Sequence, residues 1–251
     1  MTIYRCVFAG YCLGWIIYSG FHPANGEEKW FIYLTNWAFT FLTLYFIWAT
    51  VVCILHHLAG RTNNTVIVQM KSLESNENDM EVGNDQAANS EQAAANSEQA
   101  AVVNMSWYHK GLWITFNIAA NAAILVTLLY WALIFGGKTS GLDVSTHLIN
   151  SVFIVADVML SATPVRILHV VYGWMLGFSY LLLTVIFWAA KGTNARNKPY
   201  IYSYLDYNES PGLSSGIVVC FVLVGQPLVQ VLLFVMYKLR GFLGMKCGSK
   251  P

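Results

Sequence analysis

Three side chains capable of chemistry stand inside apolar stretches of this sequence. Thr35, in WFIYLTNWAF, places a hydroxyl about one turn inside a long apolar run. His147 and Asp157, in STHLINSVFIVADVML, place an imidazole and a carboxylate ten residues apart in another. A hydroxyl becomes a nucleophile when a base lies within hydrogen-bonding reach, and histidine suits that role near neutral pH. The chemistry suggested is acyl transfer, with the amide of Asn36 or Asn150 steadying the oxyanion. Each residue also has a plainer use, because Thr, Asn and Ser commonly hydrogen-bond between buried helices.

Helical phase groups these residues. At about 100° per residue, His147, Asn150, Asp157 and Ser161 fall within an arc of roughly 80°, one polar stripe on an otherwise apolar helix. In TPVRILHVVYG, Pro164 starts the next helix, and Arg166, His169 and Tyr172 recur every third residue on one side. This spacing allows them to meet Asp157 across the tight turn between the helices, although Arg166 can equally snorkel to headgroups.

The elements that must position these groups follow from composition. The chain has 251 residues, 56% of them hydrophobic and 11% charged, with mean hydropathy +0.50. Such a balance predicts a membrane protein. A net charge of +1 leaves no basic excess for nucleic acid. The expected fold is an all-α, polytopic membrane helix bundle forming a single transmembrane domain over residues 1–251. About six apolar segments are long enough to cross a bilayer, near Ile3–Ser19, Phe31–Ala59, Gly111–Phe135, Val144–Thr163, Ile167–Ala190 and Ser214–Tyr237. Of the 14 basic and 13 acidic residues, Asp157 alone is expected deep within a span. An ionised acid at a helix centre costs roughly 2.5–3.5 kcal/mol on insertion scales, so it must be protonated, paired or facing water.

Six spans place both termini on the side of Arg5, Arg61, Lys71, Lys110, Arg166, Lys238, Arg240, Lys246 and Lys250, against Lys29, Lys138, Lys191, Arg196 and Lys198. The excess predicts cytoplasmic termini. Thr35 and His147 then lie at matching depth, about four residues or ~6 Å below the outer surface. Residues 60–106 form a polar segment with seven acids and no base between Ser72 and Ala101, expected to be a disordered cytoplasmic insert. Its tandem AANSEQA, at Ala87–Ala93 and Ala94–Ala100, has no large apolar residue to make a coiled coil. Of the sequons at Asn63, Asn104 and Asn208, Asn208 is the glycosylation candidate on the outer side. VGQPLVQ suggests a break in the last span. The five cysteines lack CxxC spacing, no nucleotide or metal motif occurs, and neither a cofactor nor a metal is expected. Cys247 is either a palmitoylation site or a free thiol.

KWFIYLTNWAF, STHLINSVFIVADVML and TPVRILHVVYGW, in that order, closely resemble the rolling stone family of multi-pass membrane proteins, associated with myoblast fusion. More distantly the layout resembles the androgen-induced transmembrane hydrolases that cleave esters of hydroxylated fatty acids, which use an intramembrane threonine and histidine. Trp30 and Leu34-Thr35 match the context of that threonine with one extra residue between, and His147 with Asp157 matches its histidine and the acid ten positions on, with Asp for Glu. The first resemblance implies a cell-surface role in cell fusion, in the plasma membrane rather than the endoplasmic reticulum. The second implies a lipid-ester hydrolase with Thr35 and His147 as catalytic pair and Asn36, Asn150, Asp157, Arg166, His169 and Tyr172 as supporting polar residues. The closeness of the match ranks the fusion role first and residue chemistry ranks the hydrolase second. A small-molecule transporter is a third reading. Expected partners are membrane lipids, a lipid-ester substrate for the enzyme, and a protein partner at the outer loops Gly20–Trp30 and Lys191–Gly212.

Overall fold

Prolonged apolar runs can enter lipid only as helices, since each backbone N–H and C=O must then be satisfied within the segment. The computed structural model of the chain describes residues 2–22, 27–77, 107–137, 139, 141–161 and 163–248, and among them there is no strand. Helix α1 spans Thr2–Gly20, and a 3-10 turn at Glu27–Ile32 leads into α2, Leu34–Glu77. Helix α3, Trp107–Leu129, ends in a π turn at Tyr130–Ile134. Helices α4, Gly141–His147, and α5, Ile149–Leu160, make one pass interrupted at Leu148. Helix α6 spans Val170–Ala189, and α7, Pro211–Cys220, continues through a second π turn, Phe221–Gly225, into α8, Gln226–Gly248.

Among the described residues, five stretches are long and apolar enough to cross a membrane: Leu34–Leu58, Trp107–Ile134, Asp143–Leu160, Ile167–Ala189 and Pro211–Leu243. They coincide with five of the six expected spans. The remaining one exists as α1, 19 residues long, which is not among the five and packs along α2. Helix α2 continues through residues 60–77, the first part of the segment expected to be a disordered insert. The rest of that segment, 78–106, with the tandem repeat and Asn104, lies outside the described residues, as does the side chain of Cys247.

Contacts fix the direction of each pass. At one end the Trp30 indole donates to Ser19 Oγ (3.3 Å), Leu34 N–H to the Tyr202 hydroxyl (3.1 Å), and the Tyr180 hydroxyl to Ile32 O (2.8 Å). At the other, the Trp113 indole donates to Pro164 O (2.7 Å) and Arg240 Nη1 to Val158 O (3.3 Å). Successive passes therefore run in opposite directions, and Thr2 lies at the same end as the end of α8.

Helix α3 is the hub, touching α2, α5, α6 and α8. Its buried alanines, Ala119, Ala120, Ala122 and Ala123, let four neighbours approach closely, as small residues do between membrane helices. Gly173 of α6 serves the same end: a Cβ there would stand 2.4 Å from Gln226 Oε1 on α8. The expected break in the last span is the second π turn. Pro227 has no N–H to give the carbonyl four residues back, and Gln226 N–H bonds Phe221 O instead. The outward faces of α6, the second π turn and α8 expose Leu182, Leu223 and Leu228, each more than half accessible, which suits lipid as the solvent.

Asp157 is fully buried and finds its partners on α1 and α2. Tyr4 donates to Oδ1 (2.8 Å), Tyr45 to Oδ2 (2.6 Å), and Arg5 Nε lies 3.4 Å from Oδ1 as an ion pair. Arg5 Nη1 also reaches Cys53 Sγ at 3.1 Å. Two expectations are corrected here. Asp157 is bonded to none of Arg166, His169 and Tyr172, and Arg5 lies inside the bundle rather than at its edge. The physical reason is depth: Arg5, four residues into α1, and Asp157, near the end of α5, meet at one level of antiparallel passes.

This pair makes a stability prediction. Asp157→Leu leaves Arg5 charged and unpaired and is expected to cost about 3–5 kcal/mol, with Asp157→Asn milder because the tyrosine hydrogen bonds survive. Adding Arg5→Met to Asp157→Leu should recover most of the loss. Thermal unfolding in detergent measures this, and equal stability of the Leu single and double variants would show that Arg5 gains nothing from the pairing.

Candidate functional site

Thr35 sits in the first turn of α2, where four N–H groups lack intrahelical partners. Two of them have partners outside the helix ladder, Leu34 N–H and Asn36 N–H, the latter bonding Tyr33 O (3.0 Å). Leu34 N–H bonds the Tyr202 hydroxyl, while the side chains of Asn36 and Trp37 reach back to the carbonyls of Trp30 (2.6 Å) and Phe31 (2.7 Å). Asn36, expected as an oxyanion donor, is spent instead on holding the 3-10 turn against its own helix. Thr35 is thereby fixed and mostly covered, 8% exposed.

His147 closes α4, and its imidazole stacks on Tyr130 with centroids 3.7 Å apart and planes within 5°. Its carbonyl accepts from the Thr127 hydroxyl. Tyr130 is the first residue of the π turn, so the widened end of α3 supplies the platform for the ring. Nδ1 of His147 is buried with no hydrogen-bond partner, an open position for a ligand or a proton.

Thr35 and His147 line one cavity of about 500 Å³, with Asn36, Tyr130, Asp143 and Tyr202 among its walls. A second, smaller chamber of about 90 Å³ shares Thr35, Tyr130, Ile134, Tyr202 and Tyr204 with it. From there it runs between Leu125, Leu176 and Phe221 to Gln226, walled almost wholly by apolar groups. Thr35 therefore stands where a polar vestibule meets an apolar slot. Burial pushes the Tyr202 hydroxyl up to about 12, although its hydrogen bonds with Tyr180 and Thr35 pull the other way. Burial and the neighbouring Tyr202 push Tyr204 up as well, so both are neutral hydroxyls at physiological pH.

The other polar residues singled out in the sequence lie in separate places. Asn150 is fully buried behind His147, its Oδ1 accepting from Ser151 N–H (3.0 Å) and its Nδ2 unpartnered. Asp157 belongs to the ion pair about ten residues, or ~15 Å, along the pass. Arg166, His169 and Tyr172 gather around Trp113 at the opposite end. The His169 ring meets the Trp113 ring at 4.4 Å and Tyr172 at 6.0 Å, and the Arg166 guanidinium lies 5.9 Å over Trp113. His169 Nδ1 accepts from Arg166 N–H (3.2 Å). Asn208 is exposed, its Oδ1 taking the Trp188 indole N–H at 2.9 Å.

Sequence reasoning missed Asp143, Tyr130, Tyr202 and Tyr204. Asp143 is one helical turn before His147, hydrogen-bonds Tyr130 and acts electrostatically on the imidazole. Its four-residue spacing from His147 was a usable signal. Tyr130 carried none, since an aromatic residue at the end of a span is an ordinary interfacial anchor, and Tyr202 and Tyr204 were legible only as part of a tyrosine-rich outer loop that suits headgroups or a partner.

A family model described as Protein rolling stone matches residues 89–247. Protein rolling stone of Drosophila melanogaster is 26% identical over 244 residues, covering 95% of this chain and 77% of that protein. No solved structure matches the chain.

The capping contact at the site can be measured. Tyr202→Phe removes the acceptor of Leu34 N–H and is expected to destabilise the chain by about 1–3 kcal/mol, whereas Tyr200→Phe, a half-buried neighbour, should be near neutral. Thermal unfolding of the two variants decides it, and a neutral Tyr202→Phe would mean that water replaces the hydroxyl.

Proposed function

This chain belongs to the rolling stone family, and we propose that it cleaves a lipid ester within the membrane with Thr35 as nucleophile and His147 as base. The observation carrying this reading is the shared lining: both residues face one polar cavity, and Thr35 also borders the apolar slot. An acyl chain in the slot brings its carbonyl to Thr35 Oγ. The oxygen attacks, a ring nitrogen of His147 takes its proton, and the Asp143 carboxylate favours the imidazolium so formed. Collapse breaks the ester C–O bond, the imidazolium protonates the departing alcohol, and an acyl-threonine remains. Water, deprotonated by His147, then releases the fatty acid. Asn36 is already bonded to Trp30 and Asn150 lines neither cavity, so the Tyr202 hydroxyl beside Thr35 takes the oxyanion role.

Labelling of purified chain in lipid with an alkyl fluorophosphonate should place the adduct on Thr35. Ester cleavage should persist in Thr35→Ser and vanish in Thr35→Val and His147→Ala. Equal cleavage by wild type and Thr35→Val would falsify the assignment of the nucleophile.

A cell-surface role in cell fusion, such as myoblast fusion, is the second reading, supported by the family and by the ordered segment following α6. There Lys29 Nζ bonds Thr193 Oγ1 (3.0 Å) and Asn194 O (2.9 Å), pinning a tyrosine-rich outer face to the bundle. Fusion-deficient cells re-expressing Thr35→Val separate the two readings: restored content mixing makes fusion independent of the chemistry, and failure joins them. The excess of basic residues on the side of the termini supports a cytoplasmic location for them. In glycosylating cells Asn208 is then the sequon that can be modified, inefficiently because Pro211 follows Ser210. Glycan on Asn63 or Asn104 would reverse the orientation.

A further inference from the structure

The vestibule carries, beside the Asp143 carboxylate, two cations that the ester chemistry does not use. On one rim stand Arg196 and Lys198. They project from a turn held by Asn194, whose Oδ1 accepts both their backbone N–H groups at 2.8 and 3.0 Å, with Asn197 at φ 57°. Both side chains are exposed, and neither is ion-paired with another described residue. The same cavity is lined by Asp143 and by Tyr33, Tyr200, Tyr202 and Tyr204. Tyr33 meets Tyr202 edge to face at 5.8 Å, and Tyr202 stacks on Tyr204 at 5.3 Å, so these three rings form one continuous aromatic wall.

Two cations, one carboxylate and an aromatic wall select among headgroups. A phosphodiester pairs with arginine and lysine through charge-assisted hydrogen bonds. A quaternary ammonium, which cannot donate hydrogen bonds, is held by aromatic faces and a nearby carboxylate. A carboxylate or phosphomonoester head would use the cations but meet Asp143 as a like charge and leave the tyrosines without a partner. A neutral glycerol head would use neither.

We propose that the vestibule is a headgroup site for a choline phospholipid, the phosphate at Arg196 and Lys198 and the trimethylammonium against the tyrosine wall and Asp143. The cavity, about 500 Å³, lies within the size range of small-molecule sites. The proposal rests on the preceding reading in that the acyl chain passes Thr35 into the apolar slot, and it names the class of ester, an acyl ester of a phosphocholine lipid. Free phosphocholine shares the headgroup chemistry but cannot fill the slot.

The test uses the full-length chain in maltoside detergent and radiolabelled 1-O-hexadecyl-lysophosphatidylcholine, an ether with no ester to cleave. Binding is compared with ether lysophosphatidate and palmitate of the same chain length, and with free phosphocholine. The choline ether lipid should bind about tenfold more tightly than either anionic amphiphile, and free phosphocholine should compete only weakly. Arg196→Glu with Lys198→Glu, both exposed and therefore compatible with folding, should abolish the binding. Tyr204→Leu, which removes one ring of the aromatic wall, should weaken the choline lipid while leaving lysophosphatidate unchanged. Equal binding of all headgroups, a preference for either anion, or phosphocholine binding as tightly as the ether lipid would each overturn the proposal. Because the probe has no ester, loss of headgroup selectivity with fluorophosphonate labelling of Thr35 intact refutes this inference alone. Choline-lipid binding without labelling of Thr35 refutes the catalytic reading instead.

Discussion

The architecture depends on one buried charge. Asp157 has no exposure, and a carboxylate so placed persists only if its charge and lone pairs are answered inside the protein. Arg5 answers the charge, and Tyr4 and Tyr45 take hydrogen-bonding positions on both oxygens. These three groups come from α1 and α2 while the acid comes from α5. Satisfying one residue thus gathers three passes at one end of the bundle. Helix α1, the least suited of the passes to lipid, is held by this pairing together with its packing along α2.

With that end fixed, the other end can be irregular. The π turn at the end of α3, the interruption at Leu148 and the 3-10 turn before α2 all fall beside the cavity. Each deviation from α-helix turns a polar or aromatic group inward. Tyr130 is presented as a platform for His147, Asn36 and Trp37 cap the preceding turn, and Tyr202 reaches in to cap α2. Irregular backbone is tolerated at membrane depth where it lines a cavity or is covered by protein, and both conditions hold here. The regular part of α3, packed through its alanines, carries these distortions on a rigid support.

The polar residues of the spans serve three distinct purposes. Asp157 and Arg5 join helices, Arg166, His169 and Tyr172 shape the start of α6 around Trp113, and Thr35 with His147 faces open space. The distinction rests on what each group bonds. The first two sets are engaged with protein, whereas His147 keeps a buried ring nitrogen without a partner. An unpaired buried nitrogen costs stability, and under the proposed chemistry it is this ring that takes the Thr35 proton.

The sequence by itself determined the helical class, the apolar passes within a few residues, and the break at Gln226-Pro227. All of these are local properties: length, apolar content, and the missing N–H of proline. It did not determine which faces meet. In lipid the outward and inward faces of a helix are both apolar, so periodicity marks a polar stripe without naming its neighbour. For that reason one stripe from His147 to Asp157 divided into a cavity wall and an ion pair, Arg5 passed for an edge residue, and residues 60–77 continued α2. Tertiary structure alone set α3 at the centre and brought the turn of Arg196 and Lys198 over the mouth of the site. Contacts between groups far apart in sequence depend on the packing of several helices at once, and no single segment encodes them.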